Sequence, residues 1–149
     1  MQTKNPTSKN QDETIYSVEG RLILEQQSNK GFNLNVLKRM LLTKPQNENV
    51  EFYDNRISKY CMQRGKCAIT GKYLDYDEIH CHHIIPKSEG GNNHFDNLVI
   101  IHEDIHRLIH ATNEDTINSK IHLIENKQQL DKLNKYRRIC GLQNIEIVL

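Results

Sequence analysis

Residues 80–110 read HCHHIIPKSEGGNNHFDNLVIIHEDIHRLIH, and the way this stretch folds decides the rest of the molecule. Its opening, with the residues just before it, ends in a strand. PKSEGGNNHFD is a loop by its Pro, Gly and Asn content. NLVII is apolar and β-branched, which predicts a buried strand. In HEDIHRLIHA, Ile105, Leu108 and Ile109 recur at helical spacing. The order is therefore strand, glycine-rich loop, strand, helix. His102, His106 and His110 stand at i, i+4, i+8, so a helix running through all three places them on one face. With the strands paired as a hairpin and the helix across them, His82 meets His106, and His102 lies one turn away. Converging imidazoles of this kind make an open metal site, with water in the remaining positions. Strand parity sends His80 and His82 to one face and Cys81 and His83 to the other. His83 then reaches the metal side only if the chain bends at Ile84-Ile85-Pro86.

Outward from this centre, Asp54 is a suitable N-cap for a helix carrying Ile57, Tyr60 and Cys61, with Gly65 as its stop. KCAITGKYL reads as a strand broken at Gly71. Two further helices are predicted near 114–124 and 127–140, the second ended by Gly141, and the tail NIEIVL reads as a short strand. Toward the N-terminus, Val18, Leu22 and Leu24 mark one short helical pattern. Val36, Leu37, Met40 and Leu41 mark another, closed by Pro45. QNENV is a linker. Residues 1–13 are polar and read as disordered. The expected organisation is a disordered N-terminus (1–13), a helical appendage (14–51) and a domain over 52–149.

Composition bounds the function. The chain has 149 residues, 36% of them hydrophobic, and no Trp, which suits one small domain with a modest core. No run approaches the ~18 apolar residues of a membrane span, so a soluble, non-secreted protein is expected. Cys61, Cys67, Cys81 and Cys140 form no CxxC pair, and structural cysteines in a reducing compartment are the simpler reading. Net charge is +1. Residues 1–55 carry 7 basic and 7 acidic side chains and residues 56–149 carry 13 and 12. Neither half is a polycation, so non-specific affinity for nucleic acid is expected to be weak.

The order HCHHIIPKSEGG, then Asn97-Leu98, then HEDIH resembles the HNH nuclease motif over residues 80–110. That resemblance implies an α+β fold with a ββα-metal (HNH, or His-Me finger) core and flanking helices. It implies hydrolysis of DNA phosphodiester bonds with one divalent metal ion, leaving a 5′ phosphate and a 3′ hydroxyl. In these terms His83 is the general base and Asn97 orients the catalytic loop. His82 and His106 hold the metal, and His102 is free to join them as a third ligand, in the HxxxH spacing of colicin-type DNases. Many HNH domains also carry two CxxC pairs around a structural zinc. Here the corresponding positions are Cys67 with Thr70 and His102 with Ile105, so two of the four ligands are missing and that site is not expected. Mg²⁺ or Mn²⁺ is the expected metal, with Zn²⁺ as the alternative. Arg107, Lys87 and Lys72 are candidate phosphate contacts; each taken singly reads more readily as solvated surface charge, and Arg107, beside His106, is the strongest of the three. His80, His94 and His110 read as structural or exposed, and Cys81 as a buried hydrophobe.

A narrower resemblance runs from Phe52 to Ile117. YDNRISKYCMQRGKCAITG, IHCHHIIPKSEGG and NLVIIHEDIHRLIHAT are similar to the C-terminal endonuclease domain of group II intron-encoded reverse transcriptase/maturases. This implies a mobile-element DNA nuclease with intron RNA or a reverse transcriptase/maturase as partner, no membrane association, and a bacterial cytoplasmic, nucleoid-associated or organellar location. A polymerase domain does not fit in 149 residues. A free-standing nuclease of phage or defence type, and a catalytically silent nucleic-acid-binding module, are the alternative functions.

Overall fold

The structure is a computed structural model, and it describes residues 33–45 and 49–149. The expected disorder of residues 1–13, the first helical pattern around Val18–Leu24 and most of the QNENV linker lie outside the described residues.

Helix α1 (Leu34–Leu42) starts at Asn33, whose side chain accepts the N–H of Asn35, and buries Val36, Leu37 and Met40. Helix α2 (Val50–Met62) is capped by Asn49, whose side-chain oxygen accepts the N–H of Phe52. The expected cap, Asp54, sits one turn inside the helix instead and pairs with Lys44. Asn and Asp have the same capping chemistry, and Phe52, packed against the core, extends the helical face upstream. Beyond Gln63 the chain reverses through left-handed backbone at Arg64 and Gly65.

The segment expected as a broken strand is a tight knuckle. Gly71 N–H returns to Cys67 O and Cys67 N–H to Lys72 O, leaving a single bridge between Lys66 and Tyr73. The two regular strands are β1 (Ile79–His83) and β2 (Leu98–His102), antiparallel, with His80 opposite Ile101, His82 opposite Val99 and His83 opposite Leu98. Directly opposed residues share a face. Thus His80, His82, Val99 and Ile101 face one way, and Cys81, His83, Leu98 and Ile100 the other. The far edge of β2 is covered by the knuckle. Gln63 bonds both the N–H and the C=O of Ile100, and Ala68 N–H also reaches Ile100 O.

Helix α3 (Glu103–His110) follows β2 directly, with Glu103 and Asp104 in its positively polarised first turn. It buries Ile105, Leu108 and Ile109. Helix α4 (Glu114–Lys120) is capped by Asn113, and α5 (Lys127–Ile139) by Asn126. Gly141, at φ +80°, turns the chain after α5, where positive φ is easiest for glycine. The tail is extended but forms no strand among the described residues. One buried side chain, Asn134, accepts the N–H of Ile145 and donates to its C=O, which replaces a ladder.

The core joins residues of α1, α2, the knuckle, both strands, α3, α5 and the tail, with Tyr60, Leu98, Ile100, Ile101, Leu108 and Leu133 among the most deeply buried. Val36, Leu37 and Met40 of α1 belong to this same core. The architecture is α+β, a hairpin with a helix laid across it and further helices on both sides.

Candidate active site

The histidine face of β1 meets the histidine face of α3. His80 stacks on His106 with ring centres 3.6 Å apart, His82 lies 5.4 Å from both His106 and His110, and His106 and His110 are 4.6 Å apart. His82 is almost fully buried, at 2% exposure, and its Nε2 has no hydrogen-bond partner among the described residues. A buried polar atom left unpaired costs on the order of 1–3 kcal/mol, so it marks a place for a ligand. Tyr136 of α5 closes this side at 5.9 Å from His82.

Burial, reinforced by the neighbouring imidazoles, keeps these rings neutral. His82 is pushed down to about 4 by burial and then by His110, His80 and His83. His106 is pushed down to about 3 by burial, His80, His110, His82 and Arg107. His80 and His110 are lowered too, again by burial first. Neutral imidazole is the metal-binding form. The donor set therefore fits a divalent cation, with His82, His106 and His110 as the imidazoles that would hold it.

His102 does not join them. It is the N-cap of α3 rather than a helical residue: its Nδ1 accepts the N–H of Asp104 and its Nε2 lies 3.1 Å from Glu78 Oε2. Because the helix begins at Glu103, His102 is out of phase with His106, and the HxxxH pair is His106 with His110. The structure thus places His102, expected as a third ligand, apart from the cluster, and brings His110, expected as structural or exposed, beside His82 and His106. The backbone N–H of His102 also donates to Cys67 Sγ, 3.4 Å away.

His83 leaves β1 on the opposite face. It remains paired with Leu98, so Ile84-Ile85-Pro86 does not turn it toward the other histidines. Its ring stacks on Phe52 of α2, 5.4 Å away and 10° from parallel, and its Nε2 donates to Asn93 Oδ1 at 2.7 Å. Because a carbonyl oxygen only accepts, the proton sits on Nε2, and Nδ1 keeps the free lone pair. Asn93 is itself buried, and its carbonyl accepts from Asn55. Nothing in the sequence pattern pointed to Asn93. An open hollow beside His83 is lined by Asn49, Phe52, Tyr53, Lys87 and Asn93.

Asn97 clamps the loop between the strands. Its Oδ1 accepts the N–H of Ile85, its Nδ2 donates to the carbonyls of Ile85 and Asn92, and its own carbonyl accepts the N–H of Ile84. The glycine pair is needed for the same closure. A Cβ on Gly91 would lie 1.8 Å from Ile85 O, and Gly90 has φ +88°.

The three candidate phosphate contacts differ. Lys87 lines the hollow beside His83 and makes no ion pair among the described residues. Arg107 is paired with Glu103 and Asp104 on its own helix, and Lys72 with Glu125. These pairs are half exposed and worth little, so both cations remain exchangeable toward a phosphate.

Comparison with known families sets this geometry in context. Residues 59–112 match the family described as HNH endonuclease. The segment runs from the end of α2 through the hairpin and α3, and includes His82, His83, Asn97, His106 and His110. No curated protein and no solved structure matches the chain. An HNH domain binds a divalent metal and acts on nucleic acid. No helix among the described residues is long and apolar enough to cross a membrane.

Proposed function

We propose that the protein is a metal-dependent HNH endonuclease that hydrolyses DNA phosphodiester bonds, leaving a 5′ phosphate and a 3′ hydroxyl. The observation that carries this reading is the buried, partnerless Nε2 of His82 beside His106 and His110, inside the segment that matches the HNH family. A divalent ion held by these imidazoles would neutralise the scissile phosphate and the departing 3′ oxygen.

The protein's own groups do the rest. His82 and His83 leave β1 on opposite faces, so in this reading a phosphate bound along the strand would be served by the metal held at His82 on one side and by His83 on the other. Asn93 holds the His83 proton on Nε2, and Nδ1 takes the proton of the attacking water. Asn97 fixes the loop that carries Asn93. Lys87 and, after exchange of its acidic partners, Arg107 contact flanking phosphates, and Lys72 contacts the more distant backbone. The imidazole donors suit Mn²⁺ and Zn²⁺ better than Mg²⁺. For the target we infer DNA nicking of the group II intron type, supported by the resemblance over residues 52–117, with intron RNA or a maturase as partner.

The test is plasmid nicking with Mg²⁺, Mn²⁺ and Zn²⁺ in turn, comparing the wild type with His83→Ala. Metal-dependent nicking by the wild type and its loss in the variant are expected. Cleavage that survives the substitution removes His83 as the base. A wild type inert with every metal removes the nuclease reading.

A further inference from the structure

Outside the matched segment, α5 delivers a second kind of donor to the histidine cluster. One ring nitrogen of His82, one of His110 and the Sγ of Cys140 all lie within 4.8 Å of one another. Cys140 caps the C-terminus of α5, and its N–H is bonded to Tyr136 O, one turn back, so Tyr136 and Cys140 come off the same helix face. Tyr136 already touches His82. The cysteine is therefore placed by the docking of a helix rather than by a mobile tail.

That docking is rigid at this point. The buried guanidinium of Arg137, next to Tyr136, donates to the carbonyls of Leu108, at 2.6 Å, and Ala111, at 2.8 Å, at the end of α3. Its Nε donates to Gln143 O beyond Cys140. The last turn of α3, carrying His110, and the last turn of α5, carrying Cys140, are thus fastened together. A second observation points to a ligand at the same place: His82 Nε2, fully buried and without a partner.

We propose that Cys140 is a ligand to the metal at His82 and His110, and that its sulfur makes the site selective for Zn²⁺ over Mg²⁺ and Mn²⁺. The proposal rests on the metal site of the nuclease reading and adds one donor to it. Zn²⁺ takes imidazole nitrogen at about 2.0–2.1 Å and thiolate sulfur at about 2.3 Å in a tetrahedral arrangement, which sets donor separations of about 3.4–3.6 Å. From a limit of 4.8 Å the donors close by at most about 1.5 Å, within side-chain rotation. Binding exchanges the S–H bond for a metal–sulfur bond and releases one proton to solvent. Thiolate is a soft donor, which Zn²⁺ accepts and Mg²⁺ does not. His106, whose ring centre lies 4.6 Å from that of His110 and 5.4 Å from that of His82, is the remaining imidazole that would complete the set.

The experiment uses the full chain and metals alone. Wild type, Cys140→Ala, Cys81→Ala and His82→Ala are titrated with Co²⁺ and Zn²⁺, with circular dichroism confirming that each is folded. A sulfur-to-cobalt charge-transfer band is expected in the wild type and in Cys81→Ala and is absent in Cys140→Ala, where Zn²⁺ affinity falls more than about tenfold while Mn²⁺ affinity is nearly unchanged. Independently of any variant, Zn²⁺ protects Cys140 from alkylation in the wild type. Binding of Co²⁺ without a sulfur band, or Zn²⁺ affinity unchanged in Cys140→Ala, overturns the cysteine ligand and leaves the histidine site standing. A band that moves with Cys81 assigns the wrong sulfur and overturns it too. No metal binding by the wild type overturns the histidine site itself.

Discussion

At the scale of single residues, His102 and His110 are the discriminating pair, since both stand four residues from His106. His110→Ala removes an imidazole beside His82, so weaker binding of Zn²⁺ or Mn²⁺ and loss of nicking are expected. His102→Ala removes a helix cap, costing about 1 kcal/mol of stability with metal binding retained. Calorimetric titration with metal, paired with urea denaturation of both variants, separates these outcomes; equal loss of metal binding in the two would return His102 to the site. Asn93 supplies the second prediction. Asn93→Ala frees the His83 tautomer and ring, so kcat is expected to fall on the order of a hundredfold, the effect of a misplaced catalytic group. Metal affinity in that variant stays that of the wild type. The His82–His106 meeting was legible in the sequence because strand parity and helical spacing both pointed to it. The choice of partner was not. An i, i+4 pattern is symmetric about His106, and only the true start of the helix, at Glu103, breaks the tie. Histidine is also not among the usual N-caps, so position 102 carried no signal of its capping role.

At the scale of elements, the site depends on two fastenings. The first is the loop from Ile84 to Asn97, which Asn97 and Gly91 close. Gly91→Ala forces a Cβ against Ile85 O, and no flexible side chain can move aside to relieve it. The loop backbone must shift, so urea denaturation is expected to show a loss of at least about 1–3 kcal/mol, and nicking falls with it. The second fastening is Arg137, whose guanidinium donates to the buried carbonyls at the end of α3. Arg137→Met leaves the Ala111 carbonyl without its donor, at about 1–3 kcal/mol, while the Leu108 carbonyl keeps only the N–H of Ala111 at 3.4 Å. Because His110 belongs to that last turn, metal affinity and stability should drop together; a variant that loses stability while binding metal as the wild type does would uncouple α5 from the site. The glycine loop and both strands could be read from composition and β-branching. The α5 docking could not, because its determinants are one arginine and one asparagine aimed at backbone atoms about ten to thirty residues away in sequence. Helical periodicity carries no trace of such contacts. The knuckle at 66–73 departs from the expected strand for a related reason: Cys67, Ala68 and Ile69 have the apolar character of a strand, but Cys67 and Ile69 are buried from a turn whose Ala68 N–H bonds Ile100 O.

At the scale of the whole molecule, the fold packs four imidazoles together, with His82 buried, His80 and His106 half-buried and His110 at the exposed rim, and the consequence is a pH dependence that metal should abolish. In the unfolded chain these histidines titrate near 6.5, whereas in the folded protein His82 is held near 4 and His106 near 3. Between these values the unfolded state binds protons that the native state refuses, so stability rises with pH across that window. It is fully present above about pH 6.5 and is lost as pH falls through about 4 and 3. For metal-free protein, the melting temperature is expected to be level from pH 8 to 7 and to fall steadily from pH 6 to 4. Carboxylates contribute to acid unfolding at the lower end, so the histidine share is isolated by His106→Gln, which should flatten the profile between pH 6 and 5. With Zn²⁺ present the melting temperature should rise at pH 7.5, since a ligand that binds only the native state stabilises it by mass action. That rise should vanish near pH 5, where protons compete with the metal for the same nitrogens. A metal-free profile that is flat from pH 7 to 5 would mean that the cluster does not resist protonation, and the buried neutral imidazoles on which the metal site rests would have to be given up.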